Sequence, residues 1–249
     1  MSNLRNAFAQ KKALMAFITC GDPDLEATVS IAKAAVAGGA NILELNIPFS
    51  DPTAADPVIQ QSNVRALKNG VTTDSVFQLV QQLRTELTTP IVVSTYANVV
   101  FSYGAERFAA KCKETGIDGI LIPDVPFEER QEFLPACEKA GVPLIYMLAV
   151  TSRERIRTIA LDAKGFLYIM ACPGNKEQEL KALVSTVKEC TDVPCLICLN
   201  GTEPARFSAV SKEVDGVTVD VPIVSIIEKE GANAPTQVEG FIRQLTAQL

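Results

Sequence analysis

Apolar residues in this chain fall into two textures that alternate along its length. Short, nearly continuous apolar runs predict buried strands, and stretches with apolar positions three and four apart predict helices. The run Leu14-Met15-Ala16-Phe17-Ile18-Thr19 reads as the first strand and ends in the turn signal Cys20-Gly21-Asp22-Pro23. Residues 26–39 follow with helical spacing through Val29, Ile31, Ala32, Ala35 and Val36, closed by Gly38-Gly39. A second strand opens the stretch 41–61, NILELNIPFSDPTAADPVIQQ, which then breaks into a proline-stiffened loop. The pattern predicts a helix at 74–87 and a third strand at 90–96. It then predicts helix 105–115 before strand 119–124, helix 128–140 before strand 143–150, and helix 152–162 before strand 166–171. Helix 179–189 precedes strand 194–199, helix 204–212 precedes strand 216–220, and helical stretches at 223–230 and 238–249 end the chain.

Eight strand–helix units, at roughly 25–30 residues each, match the repeat of a (β/α)8 TIM barrel. Strands without polar alternation are what a parallel sheet covered by helices requires. A doubly wound sheet is the competing arrangement, but no glycine-rich phosphate fingerprint follows the first strand. The α/β reading is therefore one (β/α)8 barrel domain over residues 1–249.

Composition narrows the function. A net charge of −6 and a pI near 4.9 argue against binding nucleic acid or an anionic membrane. No apolar run approaches the ~20 residues of a bilayer span, and the polar, basic opening lacks the apolar core of a signal peptide. Seven cysteines lie mostly within strand or helix patterns, and the one CxxC pair, Cys195 and Cys198, sits in an apolar run. That placement favours buried thiols over a metal or redox pair, hence a reduced, cytoplasmic protein. Histidine is absent. Acid–base chemistry must then come from Asp, Glu, Tyr, Lys or Cys.

In such a barrel the working residues stand at the C-terminal strand ends. The polar residues there are Thr19, Asp22, Glu44, Tyr96, Asn98, Asp124, Tyr168, Asn200 and Asp220. Glu44 is set among Ile42, Leu43 and Leu45, where desolvation raises a carboxylate's pKa and suits proton transfer near neutrality. The alternative is a structural glutamate bonded to a neighbouring strand. Asp56 invites pairing with Glu44, yet Asp56-Pro57 before Val58-Ile59-Gln60 reads as a helix N-cap with proline in the first turn. Asp220, before Val221-Pro222, reads the same way, and Asp124 reads as a loop-ordering residue. Tyr96 and Tyr168 either line a ligand cavity or fill the barrel top.

The residues also carry a family resemblance. Leu43-Glu44-Leu45, followed by Ile47-Pro48-Phe49-Ser50-Asp51-Pro52 and Pro57-Val58-Ile59-Gln60, closely resembles the signature of tryptophan synthase α chains. Phe17-Ile18-Thr19, Gly21-Asp22-Pro23, Tyr96-Ala97-Asn98, Phe101, Asp124-Val125-Pro126, Gly165-Phe166-Leu167-Tyr168 and the segment 223–229 fit the same family in order. The resemblance implies a (β/α)8 barrel that cleaves indole-glycerol phosphate to indole and glyceraldehyde 3-phosphate, with no metal or organic cofactor. It implies a PLP-dependent β chain as partner and a small-molecule ligand at the C-terminal mouth. By the motif Glu44 would protonate the indole C3 carbon; Phe17, Tyr96, Tyr168, Asn200, Gly201 and Asp220, at or near the strand ends, are the candidate substrate-binding residues of this chain.

Set beside the family, four loops differ. Where the family reads Pro-Leu-Ala-Asp-Gly-Pro, this chain has Pro52-Thr53-Ala54-Ala55-Asp56-Pro57, so the second catalytic carboxylate's place is Ala55 and an Asp stands one residue later. One residue of displacement moves a side chain by roughly 3 Å. The glycine-rich loops that hold the phosphate become the segment Ala171 to Glu177, with Lys176 its one cation, then Cys198-Leu199-Asn200-Gly201, and Asp220-Val221 in place of a Gly-Ser pair. Three readings follow: a working but impaired lyase in which Asp56 substitutes; a non-catalytic α-like partner that activates a β chain; or a barrel redirected to an unphosphorylated small molecule through Glu44 and Asp220.

Overall fold

Eight parallel strands close on themselves in chain order, each bonded to the next and the eighth to the first. The computed structural model describes residues 4–9, 12–171, 177–198 and 212–249. The strands are β1 (Ala13–Thr19), β2 (Ile42–Asn46), β3 (Ile91–Ser94), β4 (Gly119–Leu121), β5 (Leu144–Leu148), β6 (Leu167–Met170), β7 (Cys195–Cys198) and β8 (Gly216–Val219). The short α1 (Leu4–Ala7) packs against the inner face of the barrel, and the outer layer is made by helices α2 (Leu25–Gly38), α3 (Pro57–Lys68), α4 (Thr73–Arg84), α5 (Ala97–Tyr103) and α6 (Ala105–Thr115). It continues through α7 (Leu134–Ala140), α8 (Arg153–Asp162), α9 (Glu177–Lys188), α10 (Val221–Glu230) and α11 (Ala234–Thr246). This is the (β/α)8 barrel that the apolar periodicity predicts. The expected helix at 204–212 falls almost entirely outside the described residues.

Strand side chains alternate between two apolar layers, as a period of two requires. Leu14, Ala16 and Ile18 of β1 face outward into the large core shared with the helices. Ala13 and Met15 face inward with Ile42, Val92, Ile145 and Leu196, and Leu4 from α1 joins this inner cluster. The inner layer is thus a packed plug beneath the mouth rather than a pore. Closure is tight where β8 meets β1: a Cβ on Gly216 would stand 2.8 Å from the carbonyl oxygen of Ala13. Only glycine lets those two backbones approach so closely.

Two helical segments differ from the periodicity. The stretch 128–140 is divided into a 3₁₀ turn, Phe127–Glu132, and α7. Phe133 interrupts it with a non-helical backbone, φ −121° and ψ −31°, and a buried ring, and Pro135 can offer no amide in the first turn of α7. The short helix α5 carries one buried residue, Val100, and ends at Gly104, too brief a period to announce itself in the sequence.

Candidate active site

The β2 run that makes the sequence apolar also forces its one acid inward. Glu44 shares the inward parity of Ile42 and lies in register between Phe17 of β1 and Val92 of β3. It is 3% exposed and opens onto a cavity of about 330 Å³ at the C-terminal end of the barrel. Burial lifts its pKa from the ordinary 4.5 to about 8; the nearby Ser94 hydroxyl pulls it back down, and the charge of Asp220 pushes it up. Ser94 lies close, but neither Glu44 Oε2 nor Ser94 Oγ makes a hydrogen bond of acceptable geometry. A buried carboxyl with an unused oxygen facing a cavity is placed to exchange a proton with whatever enters.

Asp220 approaches the same cavity from the end of β8. It caps α10, with Oδ1 accepting the amide of Val221 at 2.7 Å. Its Oδ2 accepts the thiol of Cys198 at 3.2 Å, and Cys198 in turn accepts the hydroxyl of Tyr168. Burial raises the Asp220 pKa, the hydrogen bonds lower it, and Asp56 raises it again through charge. Burial, with Cys198, Glu44 and Asp220 alongside, keeps the Tyr168 hydroxyl protonated well beyond its ordinary range.

The loop after β2 forms the lid side of the cavity. Asp56 caps α3 by accepting the Val58 amide at 2.9 Å, with Pro57 in the first turn, yet its half-buried carboxylate also lines the cavity beside Ala54 and Ala55. The cap and the cavity wall are the same residue. Tyr96 lines the cavity as well, stacks on Phe49 with ring centroids 5.3 Å apart, and accepts the Ala54 amide. Phe17 completes an apolar wall with Ile59 and Val224, against which Ala55, Val58 and Val221 pack. Among the described residues the lining carries three carboxylates and no lysine or arginine.

Five residues singled out in the sequence thus converge with Glu44: Phe17, Asp56, Tyr96, Tyr168 and Asp220. Asn200, Gly201 and Lys176 lie outside the described residues. Four other strand-end polar groups serve elsewhere. Thr19 bonds Ser62 at 2.7 Å, Asp22 is held by Arg65, and Asp124 accepts the Ala97 amide at 2.9 Å, ordering its loop as expected. Asn98 borders a separate open groove with Arg107 and Tyr103. Sequence reasoning passed over Ser94, Asn46 and Asn63. Ser94 and Asn46 carry a readable signal, a polar residue of inward parity in an apolar strand. Asn63 does not, because it reaches the cavity from α3, where its Oδ1 accepts from Asn46 Nδ2 and from the Phe49 amide.

Comparison with known proteins agrees with this arrangement. The family model described as tryptophan synthase alpha chain matches residues 3–248. The tryptophan synthase alpha chain of Lacticaseibacillus casei is 40% identical over 251 residues, covering 98% of this chain and 94% of that one. That of Polynucleobacter asymbioticus is 39% identical over 244 residues, covering 94% and 92%. A crystal structure of the tryptophan synthase alpha chain from Legionella pneumophila superposes with a TM-score of 0.90 at 32% identity, covering 100% of this chain and 97% of that one. A chain of the tryptophan synthase complex from Pyrococcus furiosus superposes with a TM-score of 0.86 at 30% identity, covering 95% and 99%. With a family model spanning nearly its whole length, relatives this similar and the barrel in common, the chain belongs to the tryptophan synthase alpha chain family.

Proposed function

We propose that this chain is a carbon–carbon lyase that releases indole from an indol-3-yl glycerol skeleton, the reaction its family performs on indole-glycerol phosphate within tryptophan biosynthesis. Glu44 carries this reading: a buried carboxyl, its pKa near 8, with an unpartnered oxygen on the cavity. At neutral pH it holds a proton to give. Transfer to indole C3 leaves the ring nitrogen as a cationic iminium. The bond from C3 to the carbinol carbon then breaks, its electron pair returns to the ring, and the carbinol hydroxyl becomes an aldehyde. The hydroxyl proton goes back to the Glu44 carboxylate, so the acid is regenerated and no oxidant or reductant enters. A carboxylate beside the ring N–H stabilises the cation, and Asp56, on the loop where Ala55 offers no acid, is the residue we place there. Phe17 with Ile59 supplies the apolar wall for the ring.

Purified protein supplied with indole-glycerol phosphate, or with the unphosphorylated indol-3-yl glycerol, is expected to release indole, and Glu44→Gln to reduce that rate by roughly 10²–10⁴-fold. No indole from either compound would sink the reading.

A second reading draws on the Asp56 Oδ1 being engaged in the α3 cap: an α-like chain retained to activate a PLP-dependent β chain. The similarity to a chain from a tryptophan synthase complex supports such a partner. Acceleration of β-chain turnover of indole and serine by the Glu44→Gln protein would favour it. We place the protein in the cytoplasm: the six cysteines among the described residues are reduced thiols, the state a reducing compartment maintains.

A further inference from the structure

The helix that follows β8 is where a (β/α)8 barrel often receives a phosphate, because free amides and the helix dipole meet there. Here α10 has closed that position with its own residues. The Val221 amide donates to Asp220 Oδ1 at 2.7 Å, Pro222 has no amide, and the Val224 amide donates to the Asp220 carbonyl at 3.0 Å. Of the three first-turn positions ahead of the ordinary helical bond at Val224, two therefore offer no amide to a ligand. The favourable anion at this helix end is already present, as the Asp220 carboxylate.

The cavity in front of it has the complementary chemistry. Asp220 is 6% exposed, and Glu44 and Asp56 stand on the same lining. Charge from Asp220 is felt at Glu44, and charge from Asp56 at Asp220, so a doubly charged phosphate entering here would meet repulsion in a poorly screened space. Glu44 Oε2 and Ser94 Oγ, both buried, have no hydrogen-bond partner. A hydroxyl is both donor and acceptor, and can satisfy a carboxyl oxygen and a serine together. The lining divides the same way, with an apolar part for an aromatic ring, from Phe17 to Met147 and Met170, and a polar part for a polyol at Glu44, Ser94 and Asp220.

We propose that this barrel takes a neutral, hydroxyl-bearing tail on its indol-3-yl substrate and discriminates against the phosphorylated one, with Asp220 as the specificity-determining residue. This rests on the lyase reading above and names the substrate class for the same site.

The test compares kcat/KM for indole release from indol-3-yl glycerol with and without its terminal phosphate, in the native chain, in Asp220→Asn and in Asp220→Gly. Asparagine keeps a capping oxygen without the charge, and glycine also frees the Val221 amide. The native chain is expected to favour the unphosphorylated compound at least tenfold, and both variants to narrow or reverse that ratio. A native preference for the phosphorylated compound overturns the proposal, as does a ratio that neither variant moves. If neither compound is cleaved the lyase reading fails, and binding then decides the subsite. Calorimetric titration with inorganic phosphate should show weaker affinity in the native chain than in Asp220→Gly, and equal or stronger native affinity overturns the proposal by itself.

Discussion

The hydroxyl of Tyr96 accepts the amide of Ala54 at 3.2 Å, tying the end of β3 to the loop that carries Ala55 and Asp56. Burial pushes the Tyr96 pKa up to about 12, so the hydroxyl stays neutral throughout the working range. Phe49 stacked on the same ring clamps the loop at a second point. Tyr96 is thus a positioning residue, and Tyr96→Phe separates the hydrogen bond from the ring. That variant should lose about 1 kcal/mol of local stability in the loop with little change in the global unfolding midpoint. Faster proteolytic nicking within 50–56, with a raised KM for indole release, would show it; unchanged nicking would not fit.

Glu44 makes stability depend on pH with a definite sign. Its folded pKa near 8 lies above the unfolded value near 4.5, so between those limits the folded state holds a proton that the unfolded state has lost. The contribution is complete below about pH 4.5, falls as pH rises, and is gone above about pH 8. Urea unfolding at pH 5, 6.5 and 8 should therefore show native stability decreasing relative to Glu44→Gln, which removes the titration while retaining a neutral amide. The difference between the two proteins should reach a few kcal/mol. A pH-independent difference would mean that Glu44 is solvated enough to ionise freely.

The barrel was legible because its strands are buried on both faces, so the code for each is simply a run of aliphatic residues. The site was legible only in part, and Asp56 shows why. Its sequence context announces an N-cap, and it is one, but in this fold the helices after strands begin at the catalytic face. A side chain that caps such a helix stands on the cavity lining as well, so the structural role and the site role are not alternatives. Asp220 repeats the lesson at the start of α10. Asn63 reaches the cavity only because α3 packs back over the mouth, a tertiary placement that no local spacing encodes.

Arg65 of α3 bridges two acids of unequal worth. Its guanidinium makes paired bonds to Asp22, both 2.8 Å, and a third to Glu228 at 2.7 Å. Asp22 is 1% exposed, whereas the Glu228 side chain is 51% exposed. Breaking the first pair leaves a buried charge, so Arg65→Met should destabilise by roughly 3–5 kcal/mol. Glu228→Gln should alter stability by less than about 1 kcal/mol. Asp22→Asn placed on top of Arg65→Met should recover part of the loss. Chemical denaturation of the four proteins tests this, and similar effects for Arg65→Met and Glu228→Gln, or no recovery in the double variant, would contradict it.

Ala55 offers the sharpest test of the loop after β2. It lines the cavity one residue before Asp56, and its carbonyl, accepting Gln60 Nε2 at 2.9 Å, holds the local backbone in place. Ala55→Asp puts a carboxylate at that position without disturbing the Asp56 cap, while Ala55→Asn adds similar volume and no charge. Asp56 stands one residue beyond the place of Ala55, so its aim at the ring cation is imperfect, and Ala55→Asp should raise kcat for indole release by about 10²-fold, the scale on which a misplaced catalytic group is felt. It should also move the alkaline limb of the pH–rate profile upward, because another negative charge on this lining makes the Glu44 proton harder to remove. Ala55→Asn should do neither. Equal rates in the two variants would mean that Asp56 already supplies the charge, or that the cation is stabilised by a group other than a loop carboxylate; Asp56→Asn then separates these, abolishing activity in the first case and sparing it in the second.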